Sequence, residues 1–467
     1  MARAGTTWSR GSGTAPVSEA TIPRGGSGGR GAEAAPSGSA GPRSARAGAA
    51  AGRDQETAAT GSAVLRLDSR AARLGPLGLR QLVLVELSAA VLLVAWVVDP
   101  LLLIPATLVA AALVLLALLR RRNRSLPEWL GSVLALRRRQ RRAATGLLAV
   151  GPQTDPRLAP VVECEPSLRT YGFTVRDHRT VGMVGDGTFL TAVLQIEPRS
   201  VGLRPRQALP LGPLVDALSG VDGIRLESVQ IVQHTQPAPA PHLPEQSVAA
   251  RNYQPLREWE SAPSVRLTWV ALRFDPELCA EEVAARGGGL DGAQRCLLRV
   301  ADQLASRVTG AGFQATVLSE DQLLSAVATS LCAHPMATAQ AGRADRPARR
   351  TRESARTWRC DDRRHTTFWV ARWPQLGAGG VSLPQLVAPL TSVPALATTF
   401  SLTLRGRGRR EVSVAGHLRV TGRSDRELES ARRALLETAN GLRTNLVRLD
   451  REQLPGLLAT LPLGGAH

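Results

Sequence analysis

The hydrophobic pattern of the chain is dominated by one apolar run, from Leu82 to Leu119, whose only strongly polar side chains are Glu86 and Asp99. A single helix of this length would extend about 57 Å at about 1.5 Å per residue. The hydrocarbon core of a membrane is only about 30 Å thick. The run therefore predicts two membrane-spanning helices and not one.

The break between the two helices falls at Asp99-Pro100, because proline disfavours helix in the residue before it and begins a new helix well. We predict spans at about 82–98 and 101–119, within a membrane hairpin that occupies residues 63–124. Arginines flank both outer ends of this hairpin, and the turn between the spans carries none. By the positive-inside rule, both termini of the chain are expected in the cytoplasm.

Polar and amphipathic segments lie on either side of the hairpin. Residues 1–62 are rich in Gly, Ala, Ser and Arg and have few large aliphatic side chains, so we predict disorder there. Residues 125–160 predict an amphipathic juxtamembrane helix and a linker. The helix would begin with a capping box of Ser125 and Glu128, and its arginine-rich end would lie on the membrane surface or dock on a partner.

Glu86 is an acidic residue inside the first predicted span. One interpretation assigns it to a proton pathway or to pairing with a partner helix, because acids within spans are costly. We favour the other interpretation, in which its side chain snorkels to the cytoplasmic headgroups.

The rest of the chain predicts an α+β cytoplasmic domain that follows the two-helix transmembrane hairpin. Two related halves are expected, at residues 161–335 and 356–467, joined by a linker at 336–355. Each half opens with a hairpin pattern and continues with alternating helix and strand patterns.

The closing segments of the two halves match most clearly. The stretch "LSEDQLLSAVAT" (318–329) tracks "LDREQLPGLLAT" (449–460). Each has a cap residue three positions before a glutamine, which is the spacing of a capping box at the start of a helix. The predicted pairs are Ser319 with Gln322 and Asp450 with Gln453.

Composition adds a strong positive charge. The 467 residues carry a formal net charge of +19, and all 58 basic residues are arginine. Much of this charge lies beside the predicted membrane hairpin, where anionic lipid headgroups would attract it. It is not interleaved with aromatic side chains in a nucleic-acid-reading element, so we expect no nucleic acid as a partner. The scattered cysteines have no ligand spacing and suit a reducing compartment (Cys164, Cys279, Cys296, Cys332 and Cys360).

Two polar motifs were considered as sites of chemistry. Gly185-Asp186-Gly187 could suggest a phosphate loop, but it joins two strand patterns and is interpreted as a hairpin turn. The stretch "CDDRRH", from Cys360 to His365, could suggest a metal site or an acid–base pair through Asp361 and Asp362.

We interpret "CDDRRH" as a hairpin turn with solvated charges, because neighbouring side chains of a strand point to opposite faces. His178 has a comparable position in the first half and the same interpretation. No motif of a known catalytic centre occurs in the sequence. We therefore expect no catalytic residue, no cofactor and no metal.

The layout resembles the EccE family, membrane components of the type VII (ESX) secretion apparatus of actinobacteria. The resemblance rests on the paired apolar runs, their arginine-rich exit, and the stretches "YGFTVRDHRTVGMVGDGTFLTAVLQIE" and "TTFWVARWP". It extends over roughly residues 65 to 465. It implies a non-catalytic subunit of the inner-membrane complex, beside EccB, EccD and the ATPase EccC.

Two other hypotheses remain at this point. The chain could be a membrane-tethered enzyme with an unrecognised, transferase-like active site that uses Asp186, Asp361 or Asp362. It could also be a membrane-linked nucleic-acid-binding protein, whose affinity would fall steeply with salt.

Overall fold

Strands from both predicted halves pair in one large, almost entirely antiparallel sheet in the computed structural model of the chain. The structure describes residues 64–67, 79–99, 103–118, 120–121, 124–145, 154–175, 178–199, 208–237, 248, 251, 264–344, 348–377, 380–407 and 411–465. These described residues belong to one unit that spans residues 61 to 467. The predicted disorder of residues 1–62 lies outside the described part.

The described strands are between two and twelve residues long. They are β1 (Val64–Leu67), β2 (Arg120–Arg121), β3 (Arg124–Ser125), β4 (Arg169–Thr174), β5 (Thr180–Gly185), β6 (Leu190–Pro198), β7 (Ser228–Pro237), β8 (Ser264–Phe274), β9 (Phe313–Val317), β10 (Thr351–Glu353), β11 (Trp358–Cys360), β12 (Arg363–Arg372), β13 (Ala397–Gly406), β14 (Glu411–Gly422) and β15 (Asn445–Arg448).

The described helices precede the sheet or cover it. They are α1 (Leu79–Val98), α2 (Leu103–Leu118), α3 (Leu126–Ala144), α4 (Ala159–Val162), α5 (Gly212–Ser219), α6 (Ala280–Ala285), α7 (Gly289–Gly310), α8 (Glu320–Ser330), α9 (Pro335–Ala341), α10 (Leu383–Thr391), α11 (Asp425–Gly441) and α12 (Gln453–Leu458).

The strand order of the sheet is β10-β11-β12-β14-β13-β7-β8-β6-β5-β4. The centre is the antiparallel pair β7 and β13, which joins the two halves in register from Ser228 with Arg405 to Thr235 with Thr398. A similar order of elements occurs twice along the chain: a hairpin, a helix, two long strands, one or two helices, a strand and a short helix. The late strand returns to the second strand of the hairpin in both cases, β9 on β6 and β15 on β12.

Helices cover both faces of the sheet, so that two apolar cores form. On one face, α5, α6, α7, α10 and α11 pack through buried residues such as Leu214, Leu297 and Leu435. On the other face, α4, α8, α12 and the C-terminal segment pack through residues such as Leu323 and Leu457. At about 25 cal/mol per Å² of apolar area removed from water, these two cores are the main source of stability.

The predicted membrane hairpin corresponds to two adjacent helices, α1 and α2, separated by the Asp99-Pro100 break. Large apolar side chains on them are exposed, including Leu93 at 62%, Trp96 at 68% and Ile104 at 72%. Across the described residues, however, no helix is both long enough and apolar enough to qualify as a membrane crossing. The two spans therefore stay a prediction.

The two predicted capping boxes have different outcomes. Ser319 and Gln322 form a capping box at the start of α8, as predicted. The prediction for Asp450 is wrong, because α12 begins only at Gln453 and its N-cap is Glu452, which makes no side-chain cap bond. Asp450 instead accepts a bond from Arg448.

Gln453 is fully buried, and its side chain forms hydrogen bonds with backbone groups. Its Oε1 accepts a 2.9 Å bond from the Thr367 amide, and its Nε2 donates to the Leu449 carbonyl at 2.8 Å. A buried amide of this kind satisfies backbone groups that would otherwise be costly to bury. The equivalent Gln322 is exposed, so the same sequence spacing has different roles at the two ends of the molecule. The side chains of the predicted cap pair Ser125 and Glu128 lie outside the described part.

Candidate interaction site beside helix α3

A cleft of about 1300 Å³ lies beside the C-terminal half of α3. Its other walls are the residues after α4, the helix α9, and the strand β10 with the segment before it. The lining includes small apolar side chains, such as Ala337, Ala341 and Ala344, and exposed arginines, which we call the rim arginines. No sequence pattern predicts this cleft, because its walls come from segments about 200 residues apart.

Helix α3 is fixed to the wall of the cleft by one arginine. The Arg139 guanidinium pairs with both oxygens of Glu353, at 2.8 and 3.0 Å, and also donates to the Arg451 carbonyl at 2.7 Å. The Arg451 guanidinium lies 5.0 Å from the centre of the Trp129 ring of α3. Glu353 is nearly buried, and a bidentate pair of this kind is among the stronger polar contacts in proteins.

A second buried carboxylate holds the start of β10. Glu163 accepts bonds from the amides of Arg350 and Thr351, at 2.9 Å each, and from the Thr351 hydroxyl at 2.6 Å. These donors offset the cost of burying the charge. Helix α4 and strand β10 are thereby locked together.

Asp361 completes this network from the turn between β11 and β12. Its two oxygens accept bonds from Arg350 at 2.9 and 2.8 Å, and one also accepts from the His334 amide at 3.0 Å. Burial alone would raise the pKa of Asp361, but the bonds from Arg350 and His334 outweigh burial and hold this pKa below its ordinary value. Both partners of the ion pair are less than a tenth exposed.

The structure places the "CDDRRH" residues in a hairpin turn, as predicted, and gives Asp361 and Asp362 different partners. The interpretation of solvated charges is wrong for Asp361, which forms the buried pair with Arg350. The same interpretation agrees with the position of Asp362, which is 52% exposed and pairs with Arg363 at 3.2 Å. Cys360 is buried, and burial raises the pKa of its thiol well above the usual range. His365 is buried on the sheet, with its Nδ1 3.0 Å from the Thr421 hydroxyl.

The two other candidates also have local roles. Asp186 accepts bonds from the Thr188 amide and hydroxyl and from the Phe189 amide, which shapes the predicted hairpin turn. His178 is exposed and lies in the turn between β4 and β5, with a positive φ of 63°. In the described part of the chain, no three His, Cys, Asp or Glu side chains come together in a way that could hold a metal ion.

A buried polar layer on the sheet was not predicted from the sequence. Arg419 on β14 is fully buried, donates to the Ser330 carbonyl and lies 3.1 Å from the Thr399 hydroxyl. Its Nε and Nη1 have no hydrogen-bond partner within the described residues. Burial lowers the pKa of Arg419 to about 10. The only signal in the sequence is an arginine between two apolar residues of a strand pattern, Leu418 and Val420.

Two histidines share this layer with the arginine. His234 on β7 lies with its Nδ1 2.9 Å from the Thr399 hydroxyl. Burial, with the charge of Arg419 as a smaller cause, lowers the pKa of His234 to about 3. The same two causes, in the same order, lower the pKa of His365 well below its usual value. Both rings are therefore neutral at physiological pH.

The fold is an α+β domain with helices on both faces of a large antiparallel sheet and an apolar helix pair before it. A family model described as "Putative type VII ESX secretion system translocon, EccE" matches residues 262–370, from β8 to β12. The resemblance to the EccE family is confirmed by this match and by the similarity to curated relatives.

Those relatives are the ESX-1 secretion system proteins EccE1 from two strains of Mycobacterium tuberculosis. Each is 26% identical to this chain over 208 residues, which is 41% of the chain and 38% of the relative. The matched part thus spans well under half the length of these relatives. Arg350, Glu353 and Asp361 lie within the family match, whereas Arg139 and Glu163 lie outside it.

Proposed function

We propose that this chain is a non-catalytic structural subunit of a type VII secretion complex in the inner membrane. The observation that carries the proposal is the EccE family match over 262–370, which covers β10 and the turn with Asp361. The partners would be other membrane subunits of that complex, EccB, EccD and the ATPase EccC. The role would be to hold a cytoplasmic interaction domain at the site of protein export.

The helices α1 and α2 would anchor this subunit in the membrane as a hairpin, with both termini in the cytoplasm. Support comes from the large apolar side chains that these helices expose, since contiguous apolar patches of this kind seek lipid or protein. The arginines at the two outer ends of the hairpin would contact anionic lipid headgroups.

The domain would comprise two related halves, at residues 161–335 and 356–467 with a linker at 336–355. The repeated order of elements along the chain supports this division. Such a repeat gives the subunit two similar, outward-facing ends of one sheet, and therefore two surfaces for neighbouring subunits.

The competing hypothesis of a membrane-tethered enzyme relied on Asp186, Asp361 and Asp362. Asp361 is engaged by Arg350 and Asp186 by its own turn, so both carboxylates have structural partners. Asp362 is exposed beside Arg363 and does not line the cleft beside α3. These contacts favour the structural role over catalysis.

A native pull-down tests the proposal. The full-length protein would carry a C-terminal tag, be extracted in mild detergent, and be separated by blue-native electrophoresis before mass spectrometry. We expect a large assembly that contains an ATPase and other membrane subunits. A lone monomer or homodimer that persists across several mild detergents would contradict the proposal.

A further inference from the structure

We propose that the cleft beside α3, with Arg142, Arg349, Arg352 and Arg359 on its rim, binds an acidic peptide segment of a neighbouring protein. This inference rests on the proposed function, because it supplies one docking surface of the subunit. It adds which surface of the subunit binds a neighbouring protein and which chemical groups that surface recognises.

The charge of the cleft is the first argument. Two of its acids are paired with arginines, Glu353 with Arg139 and Asp361 with Arg350, and Glu163 is buried with three neutral hydrogen-bond donors. The four exposed rim arginines form no ion pair with any carboxylate among the described residues. Arg349 and Arg359 donate only to backbone carbonyls, those of Glu163, Thr351 and Asp361.

The fourth acid of the cleft is Glu165, whose surroundings disfavour its charged form. Burial and then repulsion by Asp186 raise the pKa of Glu165, against the opposing charges of Arg139 and Arg142. Glu165 and Glu163 are the two acids of the cleft without an arginine partner, against four rim arginines without a carboxylate partner among the described residues. The cleft presents a net positive surface toward any ligand.

Size and lining distinguish a peptide from a small molecule. The cleft of about 1300 Å³ exceeds the roughly 300–1,000 Å³ of common small-molecule sites. The small alanine side chains of its lining leave room for a main chain to approach closely, while the exposed arginines can reach side-chain carboxylates. An extended segment with several Asp or Glu residues fits both features.

The chain's own N-terminal segment does not complement this surface. Residues 1–62 carry seven arginines against four acids, so their net charge has the same sign as the cleft. Charge complementarity therefore points to another protein as the source of the acidic segment.

The first experiment measures binding of a defined probe to the full-length protein in mild detergent. The probe is a fluorescein-labelled ten-residue peptide of alternating Glu and Ala, and the control probe alternates Gln and Ala. The test variant is R142E/R352E, and the matched control is R169E/R426E, which reverses two exposed arginines outside the cleft.

We expect the Glu peptide to bind the wild-type protein and the control variant alike, and to bind R142E/R352E at least about tenfold more weakly. The affinity should also fall with salt, since exposed charges are screened. Equal affinity for the Glu and Gln peptides, or equal binding to both variants, would overturn the proposal. Binding of phosphatidylglycerol vesicles that R142E/R352E abolishes, with no binding of the Glu peptide, would assign the cleft to lipid and also overturn it.

A second measurement separates this inference from the proposed function. A photo-reactive amino acid replaces Gln340 on the cleft wall, and cross-linked peptides are sequenced from native membranes. We expect cross-links to an Asp- or Glu-rich segment of another subunit. If the wild-type protein assembles normally but cross-links only to neutral or basic segments, the cleft proposal fails while the subunit role stands. If the wild-type protein does not assemble at all, the proposed function fails first.

Discussion

Asp361 shows at the scale of one residue how a motif that suggests chemistry can be structural. Its carboxylate is held by Arg350 and the His334 amide, and it ties the β11–β12 turn to the segment before β10. Removing one partner of a buried ion pair leaves the other charge uncompensated, which costs about 3–5 kcal/mol. A surface ion pair contributes only about 0–1 kcal/mol. Asp361 and its neighbour Asp362 therefore offer a matched comparison.

We predict that Asp361→Asn lowers the unfolding free energy of the full-length protein by about 3 kcal/mol or more, whereas Asp362→Asn changes it by less than about 1 kcal/mol. Thermal unfolding followed by tryptophan fluorescence in mild detergent would measure both. The folded pKa of Asp361 is lowered, so its contribution is present above the ordinary Asp pKa and is lost as the pH falls through the folded value. Equal stability of the two variants at pH 7 would contradict the buried-pair interpretation.

The sequence places Asp361 and Asp362 correctly in a turn, because Gly- and Asp-rich breaks between strand patterns are local signals. It does not reveal the Arg350 partner of Asp361, nor the pairing of Arg139 with Glu353. Those partners come from other elements, and in the second case are separated by 214 positions. Polar pairs between distant parts of the chain produce no periodic pattern. Composition and residue spacing therefore do not predict which residues form them.

At the scale of elements, a glycine controls how closely β5 approaches α8. Gly182 donates its amide to the Leu318 carbonyl at 2.9 Å. A Cβ at this position would lie 2.5 Å from the Cα of Glu320 and 2.6 Å from its amide nitrogen. These are backbone atoms at the start of a helix, so a side chain at 182 requires the two elements to separate.

We predict that Gly182→Ala destabilises the protein by about 1–3 kcal/mol through this overpacking. The matched control is Gly131→Ala in α3, where no heavy atom lies within 4 Å of the added Cβ. Alanine there should stabilise the helix by up to about 1 kcal/mol, because glycine is a poor helix former. Unfolding midpoints of the two variants should therefore move in opposite directions. A neutral Gly182→Ala would show that β5 and α8 are not in tight contact.

The elements themselves were largely predictable because they carry strong local signals. The hairpin pattern predicted for the first half corresponds to β5 and β6, and its later strand and helix patterns to β8 and α7, because these elements have clear period-two and period-3.6 patterns. The N-cap of the last helix could not be predicted. Asp450 has the spacing of a capping residue, but α12 starts one residue after Glu452. Tertiary packing of Gln453 against the Thr367 strand overrides the local capping preference.

At the scale of the whole molecule, the two halves meet in a sheet whose central face is polar as well as buried. The layer around Arg419 contains two neutral histidines and several threonines between the apolar side chains. The sequence predicted an α+β domain, yet it gave no reason to expect a buried arginine without a carboxylate partner among the described residues. A strand pattern identifies which positions face inward, but it does not specify which of those positions form a common polar layer.

This layer makes stability depend on pH in a definite direction. The folded pKa of His234 is lowered to about 3 and that of His365 well below its usual value, whereas an unfolded histidine titrates near its ordinary value of about 6.5. Below that pH the unfolded chain binds more protons than the folded chain, so unfolding becomes more favourable as the pH falls. Each histidine contributes up to about 1.4 kcal/mol per pH unit between its two pKa values.

We predict that the unfolding midpoint of the full-length protein falls between pH 7 and pH 5, and that His234→Gln/His365→Gln flattens this dependence. The control His178→Asn changes an exposed histidine at a positive φ that asparagine tolerates, and its pH profile should match that of the wild-type protein. Carboxylates such as Asp361 titrate mainly below this window, so the difference in slope isolates the two buried rings. If the unfolding midpoints of the double variant and the wild-type protein depend on pH with the same slope, the two histidines are not buried in a neutral form. That result would contradict the description of the polar layer around Arg419.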